Sequence, residues 1–274
     1  MTSSTQPEPG WVVEGADLSR PSIARMYDYL MGGDRHVEED RDVAHAARNA
    51  APMIRLTIWE NRKLIKRVVR ELVAGGVTQI LDIGSGIPAR ASVHEVAHAV
   101  NPDVKVVYAD IDPVAAARGR ELLADLPHCG SFQGDLTKPQ EILQHPDVIS
   151  RLDLSQPVAL FFFNVLHFLD RDEVTAALEV YRDALAPGSH LAISHGTSEL
   201  DGRGQAIGKV YAGAYGHLDY RTKDQLALLF GDFGLLEPGI VLLPDWRPEP
   251  SPLSSRLGAR GAPVNCYAGV AVKP

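Results

Sequence analysis

The feature that most constrains this chain begins just past Gly76. From there, short β-branched runs alternate with helical patterns: Gln79–Ile83 then Ser92–Val100, Val104–Asp110 then Val114–Leu126, Ser131–Gln133 then a helical stretch within Pro139–Leu152, and Val158–Phe163 then Asp172–Ala186. Strand–helix–strand units connect right-handedly, so this alternation predicts a parallel sheet with helices on its faces. Val158–Phe163 is apolar at every position, as a central strand covered on both sides requires. His190–Ser194 adds a further strand, followed by a Gly-rich segment that reads as irregular. A last helix, Lys223–Phe230, leads to two strands in succession, Gly239–Leu243 and Cys266–Val272, expected as an antiparallel pair at the sheet edge. The Pro/Ser/Arg-rich stretch Pro244–Pro263 between them has a length typical of functional or mobile loops.

Three helical segments precede the sheet. Pro21–Met31 lies behind Ser19 as N-cap and stops at Gly32-Gly33; Glu38–Asn49 starts acidic, as the helix dipole favours. Met53–Ala74 gathers Ile54, Ile58, Ile65, Val69 and Leu72 near one face. Its other side carries Arg55, Arg62, Lys63, Lys66, Arg67 and Arg70, a basic stripe expected to be a solvated face. The expected division is a flexible tail over 1–18, a helical cap over 19–76 and a core over 77–274. Composition serves mainly to exclude. A 45% hydrophobic, 23% charged chain is not dominated by disorder, and 27 Lys+Arg against 35 Asp+Glu, a net charge of −8, disfavours nucleic acid. No apolar run reaches the ~20 residues of a membrane span. Cys129 and Cys266 make neither a disulfide framework nor a zinc spacing. With an N-terminus lacking signal-peptide features, they suit the cytoplasm, and a small molecule or a protein is the expected partner.

The chemistry concentrates at strand ends. Ile80-Leu81-Asp82-Ile83-Gly84-Ser85-Gly86-Ile87-Pro88 is a strand running into a glycine turn, where backbone without Cβ atoms lets a ligand approach closely. Gly84-x-Gly86-x-x-Ala89 also fits a dinucleotide fingerprint, which keeps a nicotinamide or flavin enzyme in view. The next strand ends in Asp110, suited to accept two hydrogen bonds from a ribose diol, with Ile111 beside it and Asp112 placed to cap the following helix. The third ends in Gly134-Asp135-Leu136, an acid for an adenine amino group beside an apolar wall, and the fourth in Asn164-Val165-Leu166-His167. A glycine turn, a ribose acid and an adenine acid describe an adenosine without a pyrophosphate. Pro88 interrupts the helix that a dinucleotide site would continue from its turn.

In that order these phrases resemble a class I, Rossmann-like S-adenosylmethionine-dependent methyltransferase. More narrowly, the chain is similar to the bacterial S-adenosyl methyltransferase family once catalogued as a domain of unknown function. The likeness is carried by Ser22 to Gly33 (SIARMYDYLMGG), Leu81 to Pro88, Val93 to Ala97, Leu185 to Ser189, Ile193-Ser194-His195, Glu237-Pro238-Gly239 and Trp246-Arg247-Pro248. It departs at Asp34-Arg35-His36-Val37, at Ala89 where Thr is usual, and at Ala91-Ser92 where Asn is common. The resemblance implies an α/β fold with a mostly parallel seven-stranded sheet, an antiparallel last strand and a helical cap at the N-terminus. It implies S-adenosyl-L-methionine as cofactor, held by Asp82, Gly84, Ser85, Gly86, Asp110, Ile111, Gly134, Asp135, Leu136, Asn164 and Val165, and methyl transfer by in-line displacement to an acceptor it does not name.

Each residue has a plainer reading beside this one. Asp82 either touches ligand or organises the glycine turn, Asp135 is an adenine acid or a turn residue, and Asn164 and His167 face the methyl group or are satisfied strand-end polar groups. Candidates for a base or a catalytic contact are His167, His195 and Tyr27; of Tyr27 and Tyr29, one is expected in the core and one over the ligand. Tyr211 and Tyr215 offer themselves for an acceptor wall. His94-Glu95-Val96-Ala97-His98 spells H-E-x-x-H, yet a zincin needs a third ligand and its own fold, so no metal site is expected and support of the glycine loop is preferred. A protein that only binds S-adenosylmethionine or its product, and a nicotinamide-dependent oxidoreductase, stand as alternatives.

Overall fold

The structure, a computed structural model, describes residues 10–89, 91–200, 202–249 and 264–274. The sheet comprises β1 (Gln79–Ile83), β2 (Lys105–Asp110), β3 (Cys129–Gln133), β4 (Ala159–Phe163), β5 (His190–Gly196), β6 (Gly234–Leu235), β7 (Val241–Leu242) and β8 (Cys266–Val272). The first five are parallel, in the order β3-β2-β1-β4-β5; β8 then pairs antiparallel with β5 and carries both β6 and β7. Strand order reverses between β1 and β4, which opens a crevice at their carboxyl ends. In place of the single strand expected over Gly239–Leu243, two two-residue strands flank Pro238 and Gly239. Pro238 has no N–H to give a ladder and Gly239 turns with φ 78°, so the edge is broken in two.

Alternation along the strands builds a core on each face. Leu81 and Ile83 join Leu160 and Phe162 under α8 (Arg171–Ala184) and α10 (Lys223–Leu228). Ile80, Val106, Phe161 and Phe163 face the opposite way, onto Leu64, Val68, Val69 and Leu72 of α3 (Ile54–Ala74). The wholly apolar β4 is therefore covered on both sides. Between strands run α4 (Val93–His98), α5 (Pro113–Leu123), and the short α6 (Pro139–Leu143) and α7 (Pro146–Ile149), which Pro146 separates where one helical stretch was expected.

A third apolar cluster forms the cap, where Met26 and Leu30 of α1 (Ile23–Met31) and Ala44 and Ala47 of α2 (Glu38–Ala50) meet Ile207 and Tyr211 of α9 (Gly202–Tyr215). The segment expected to be irregular is thus a helix. Its glycines lower intrinsic propensity, and at Gly204 a Cβ would stand 2.7 Å from the Thr197 carbonyl, so close packing outweighs propensity there. Ser22, not Ser19, caps α1 by accepting from the Arg25 N–H, while Ser19 bonds Asp17. The basic stripe of α3 is only partly solvated. Arg67 donates to the carbonyls of Trp246 (2.9 Å) and Leu243 (2.6 Å), and Arg62 to that of Ala91 (3.1 Å), which ties α3 to the last strands and to the loop before α4. The tail over 1–9 and the connection over 250–263 lie outside the described residues. No helix among the described residues is long and apolar enough to cross a membrane.

One buried ion network joins cap to sheet. The Arg25 guanidinium lies 2.9 Å from Asp40 of α2 and 3.5 Å from Asp112, the N-cap of α5, and all three side chains are buried. Asp40 also accepts the N–H groups of Ser22 (2.7 Å) and Val37 (2.8 Å), and the Ser22 hydroxyl donates to Asp112. Removing one member strands a buried charge, which costs far more than the pair gains over an apolar replacement. Asp40→Ala is therefore expected to lower unfolding free energy by about 3 kcal/mol in urea titrations, whereas a change under about 0.5 kcal/mol would show that the network holds nothing together.

Candidate active site

At the tip of β1 the chain turns through Gly84 (φ 72°) and Gly86 (φ 69°). A Cβ on Gly84 would lie 2.4 Å from Cγ2 of Val165, so this glycine is required by the close approach of the β4 tip, while beside Gly86 the space is open within 4 Å. The loop is held from the neighbouring strand. Gly84 donates to the Ala109 carbonyl (2.8 Å), and the Asp110 carboxylate accepts from Gly86 N–H (2.7 Å) and Asp112 N–H (2.9 Å). The turn-organising role considered for Asp82 thus belongs to Asp110, and Asp112 is the helix cap. Burial pushes Asp110 up to about 6 against these two donors. Burial lifts Asp82 to about 7, with Arg62 opposing and the Asp110 charge assisting.

Beyond Asp110, Ile111 stands 65% exposed, an unusual position for an isoleucine unless something apolar covers it. Across from it come Gly134, Asp135 and the buried Leu136, fixed from behind by the Tyr181 hydroxyl on the Leu136 carbonyl (3.1 Å). Asp135 uses one oxygen on the Thr137 N–H (2.9 Å) and hydroxyl (2.7 Å), so it is a turn residue that keeps its second oxygen for other partners. The eleven residues expected to hold a cofactor all line one cavity of about 870 Å³, with Ser22, Arg25, Tyr27 and Tyr215 of the cap also on its wall. That volume suits a nucleoside-sized ligand.

The β4 tip separates this cavity from a second one of about 80 Å³, and Ile23, Tyr27, Asn164 and Phe168 line both. Asn164 sits in the left-handed region (φ 54°), a conformation asparagine tolerates better than most residues. Its N–H donates to Ser194 Oγ (3.0 Å), and that hydroxyl donates to Oδ1 of the buried Asn61 (2.7 Å) on α3. Asn61 and Asp40 escape sequence reasoning, and Arg25 and Ser194 fall within motif phrases whose sequence shows no role for them, because their partners lie far off in the chain.

The catalytic candidates are placed differently from one another. His195 lies off both cavity walls, with both ring nitrogens engaged: Nδ1 donates to the Gly196 carbonyl (2.7 Å) and Nε2 accepts from Arg221 (2.8 Å). Burial depresses it to about 4. A base role for His195 is thereby removed. His167 lines the smaller cavity, and its Nδ1 accepts the Gly196 N–H (3.4 Å), so the neutral ring carries its proton on Nε2 and offers a donor there rather than a base. Burial, then the neighbouring His195 and Arg221, hold its pKa well below the ordinary value. Tyr27 borders both cavities, whereas Tyr29 bonds His45 (2.8 Å) on the cap's outer side; Tyr211 lines the smaller cavity and Tyr215 the larger.

The H-E-x-x-H residues are occupied elsewhere. His94 Nδ1 meets the Tyr108 hydroxyl (2.9 Å), His98 Nε2 donates to the Val104 carbonyl (2.9 Å), and Glu95 closes a capping box on Ser92. Glu95 does steady the chain just after the glycine loop, through the Ser92 N–H (3.0 Å).

A switch-point crevice, a glycine loop braced by an acid, and a reversed last strand define the class I Rossmann-like methyltransferase fold. The model of the S-adenosyl methyltransferase family matches residues 10–274. The chain belongs to that family, and S-adenosylmethionine is its cofactor. A candidate methyltransferase from Thermobifida fusca YX is 39% identical, with a TM-score of 0.90, over 98% of this chain and 99% of that one. A DUF574 family protein from Streptomyces avermitilis MA-4680 is 32% identical, with a TM-score of 0.88, over 94% and 99%. An O-methyltransferase family protein from Burkholderia thailandensis, 14% identical with a TM-score of 0.52 over 93% and 64%, shares the fold alone. No curated protein matches the chain.

The Gly84–Val165 approach yields a direct test. Gly84→Ala is expected to cost about 2 kcal/mol or more in unfolding titrations, and Val165→Ala in the same chain to recover part of that loss. Full tolerance of Gly84→Ala would show that the two tips do not meet.

Proposed function

We propose that this protein transfers the methyl group of S-adenosylmethionine, by in-line displacement, to an acceptor held in the smaller cavity beneath the cap, and that it does so in the cytoplasm. The observation that carries this reading is the shared wall. One cavity is nucleoside-sized and carries Asp82, Asp110 and Asp135 on its wall, the other is smaller with no charged side chain among its described lining residues, and they meet at Asn164, Tyr27 and Phe168. When bound, S-adenosylmethionine supplies an electrophilic sulfonium methyl group.

The residues divide the remaining work. Asp110, already oriented by two backbone donors, accepts from the ribose hydroxyls with its remaining lone pairs. The free oxygen of Asp135 accepts from the adenine amino group, and Ile111 and Leu136 cover the purine faces. Gly84, Ser85, Gly86, Asn164 and Val165 border the methionine portion, and Asp82 gives the cationic end a carboxylate. Because the methyl is already activated, the protein's contribution is alignment of two reactants, the larger part of what such a site supplies.

Calorimetry with S-adenosylmethionine, S-adenosylhomocysteine and NAD, followed by transfer of labelled methyl into a metabolite panel, tests this. Binding of the first two and label transfer are expected. Tight binding without transfer would mark a binding protein, and a response to NAD alone would overturn the cofactor assignment. Asp110→Ala is expected to weaken S-adenosylhomocysteine binding by about 10- to 100-fold, while circular dichroism shows a folded chain; unchanged affinity would mean the ribose lies elsewhere.

The sign of the pH dependence also follows. Ribose hydroxyls donate better to an ionised acid, and burial places Asp110 at about 6, so affinity is expected to rise between about pH 5 and about pH 7. Stability runs the other way. Carboxyls whose pKa is raised on folding bind more protons folded than unfolded, so the contribution of Asp82 and Asp110 to stability falls as pH rises from about 4 to about 7. A flat affinity profile between those limits would contradict the role given to Asp110.

A further inference from the structure

Among the described residues, the wall of the smaller cavity contains no Asp, Glu, Lys or Arg. Beside its aliphatic side chains, Tyr27, Phe168, Tyr211 and Tyr220 are the largest residues, and Asn164, Asn265, Thr57, His167 and Cys266 supply further neutral polar groups. A carboxylate or ammonium brought into such a wall loses its hydration with no opposite charge to replace it. An uncharged group therefore suits this wall better than an ion.

The nucleophile is constrained as well. His195 has both nitrogens committed, and His167 presents a protonated Nε2. With His167 presenting a donor and no carboxylate on the wall, an oxygen nucleophile is best served if it gives up its proton readily without a protein base. A phenol, with a pKa near the ~10 of tyrosine, does so far more readily than an alkyl alcohol. An alkylamine, with a pKa near the ~10.4 of lysine, enters as the cation that the wall does not accommodate.

Resting on the methyltransferase reading, we propose that the acceptor is a small neutral phenol, its ring among Tyr27, Phe168, Tyr211 and Tyr220 and its oxygen at the wall shared with the cofactor cavity. A lone pair of the phenol oxygen forms the new O–CH3 bond while the S–CH3 bond breaks with its electron pair left on sulfur, and the phenolic proton passes to solvent. The products are the aryl methyl ether, S-adenosylhomocysteine and H⁺. The cavity's ~80 Å³ is below the ~150 Å³ that receives a benzene ring. Met26 and Met53 stand on its wall, unbranched and adaptable side chains, and a bound ring requires them to repack to make up the difference.

Three probes of one shape test the assignment: 4-methylphenol, 4-methylbenzoate and 4-methylbenzylammonium, titrated into protein saturated with S-adenosylhomocysteine. The phenol is expected to bind about tenfold or more tightly than either ion, and with S-adenosylmethionine to yield 4-methylanisole. Thr57→Asp, which sets a carboxylate in the wall, is expected to reverse the order in favour of the ammonium probe. Tighter binding of either ion to the unaltered protein, no binding of 4-methylphenol at millimolar concentration, or an order that Thr57→Asp leaves unchanged would overturn the phenol assignment. Because S-adenosylhomocysteine binding is measured first, failure at that earlier step would instead strike the cofactor site.

Discussion

The site is organised around the carboxylate of Asp110. One oxygen holds Gly86 and with it the glycine loop of β1; the other holds Asp112, the N-cap of α5. Asp112 in turn takes Ser22 and Arg25 from the cap, and Arg25 reaches Asp40. A single buried acid at the end of β2 thus joins loop, sheet and cap. The chain tolerates the desolvation this demands because backbone donors meet the carboxylate on both sides. The raised pKa of Asp110 records the part of that cost left unmet.

Two consequences follow for how the protein works. Cap and larger cavity are joined, since the Ser22 and Arg25 contacts end on Asp112, two positions from Asp110 on the cavity wall. The smaller cavity is joined differently, through Asn164, whose left-handed backbone is held by Ser194, itself bonded to Asn61. Strain at such a position persists only where neighbours over-determine it, and it fixes which side chain faces the junction of the two cavities.

Much of this was legible in the amino-acid order, for a physical reason. Each strand tip carries its polar residues contiguously, so Gly84-Ser85-Gly86, Asp110-Ile111, Gly134-Asp135-Leu136 and Asn164-Val165 can be read without knowing what they pack against, and the sheet then brings them to one cavity. The all-apolar β4 could be read as central for the same local reason. What was hidden depends on distance or on tertiary override. Arg25, Asp40 and Asn61 acquire meaning only from partners elsewhere in the chain, and the basic stripe of α3 becomes a clamp because Leu243 and Trp246, just beyond β7, supply carbonyls to Arg67. The glycines of α9 suggest irregular chain, whereas the helix packs on α2, and the approach of Thr197 accounts for Gly204. His195 looked like a base because the sequence does not show Arg221 beside it.

The account's central claim is that one hollow at the strand tips seats the nucleoside with its reactive end turned toward the apolar chamber under the cap. A crystal structure of the protein with S-adenosylhomocysteine tests it most directly. The account predicts the ribose on Asp110, the purine between Ile111 and Leu136, and the sulfur facing the junction of Asn164, Tyr27 and Phe168. A sulfur directed away from that junction, or a nucleoside seated off Asp110, would contradict it.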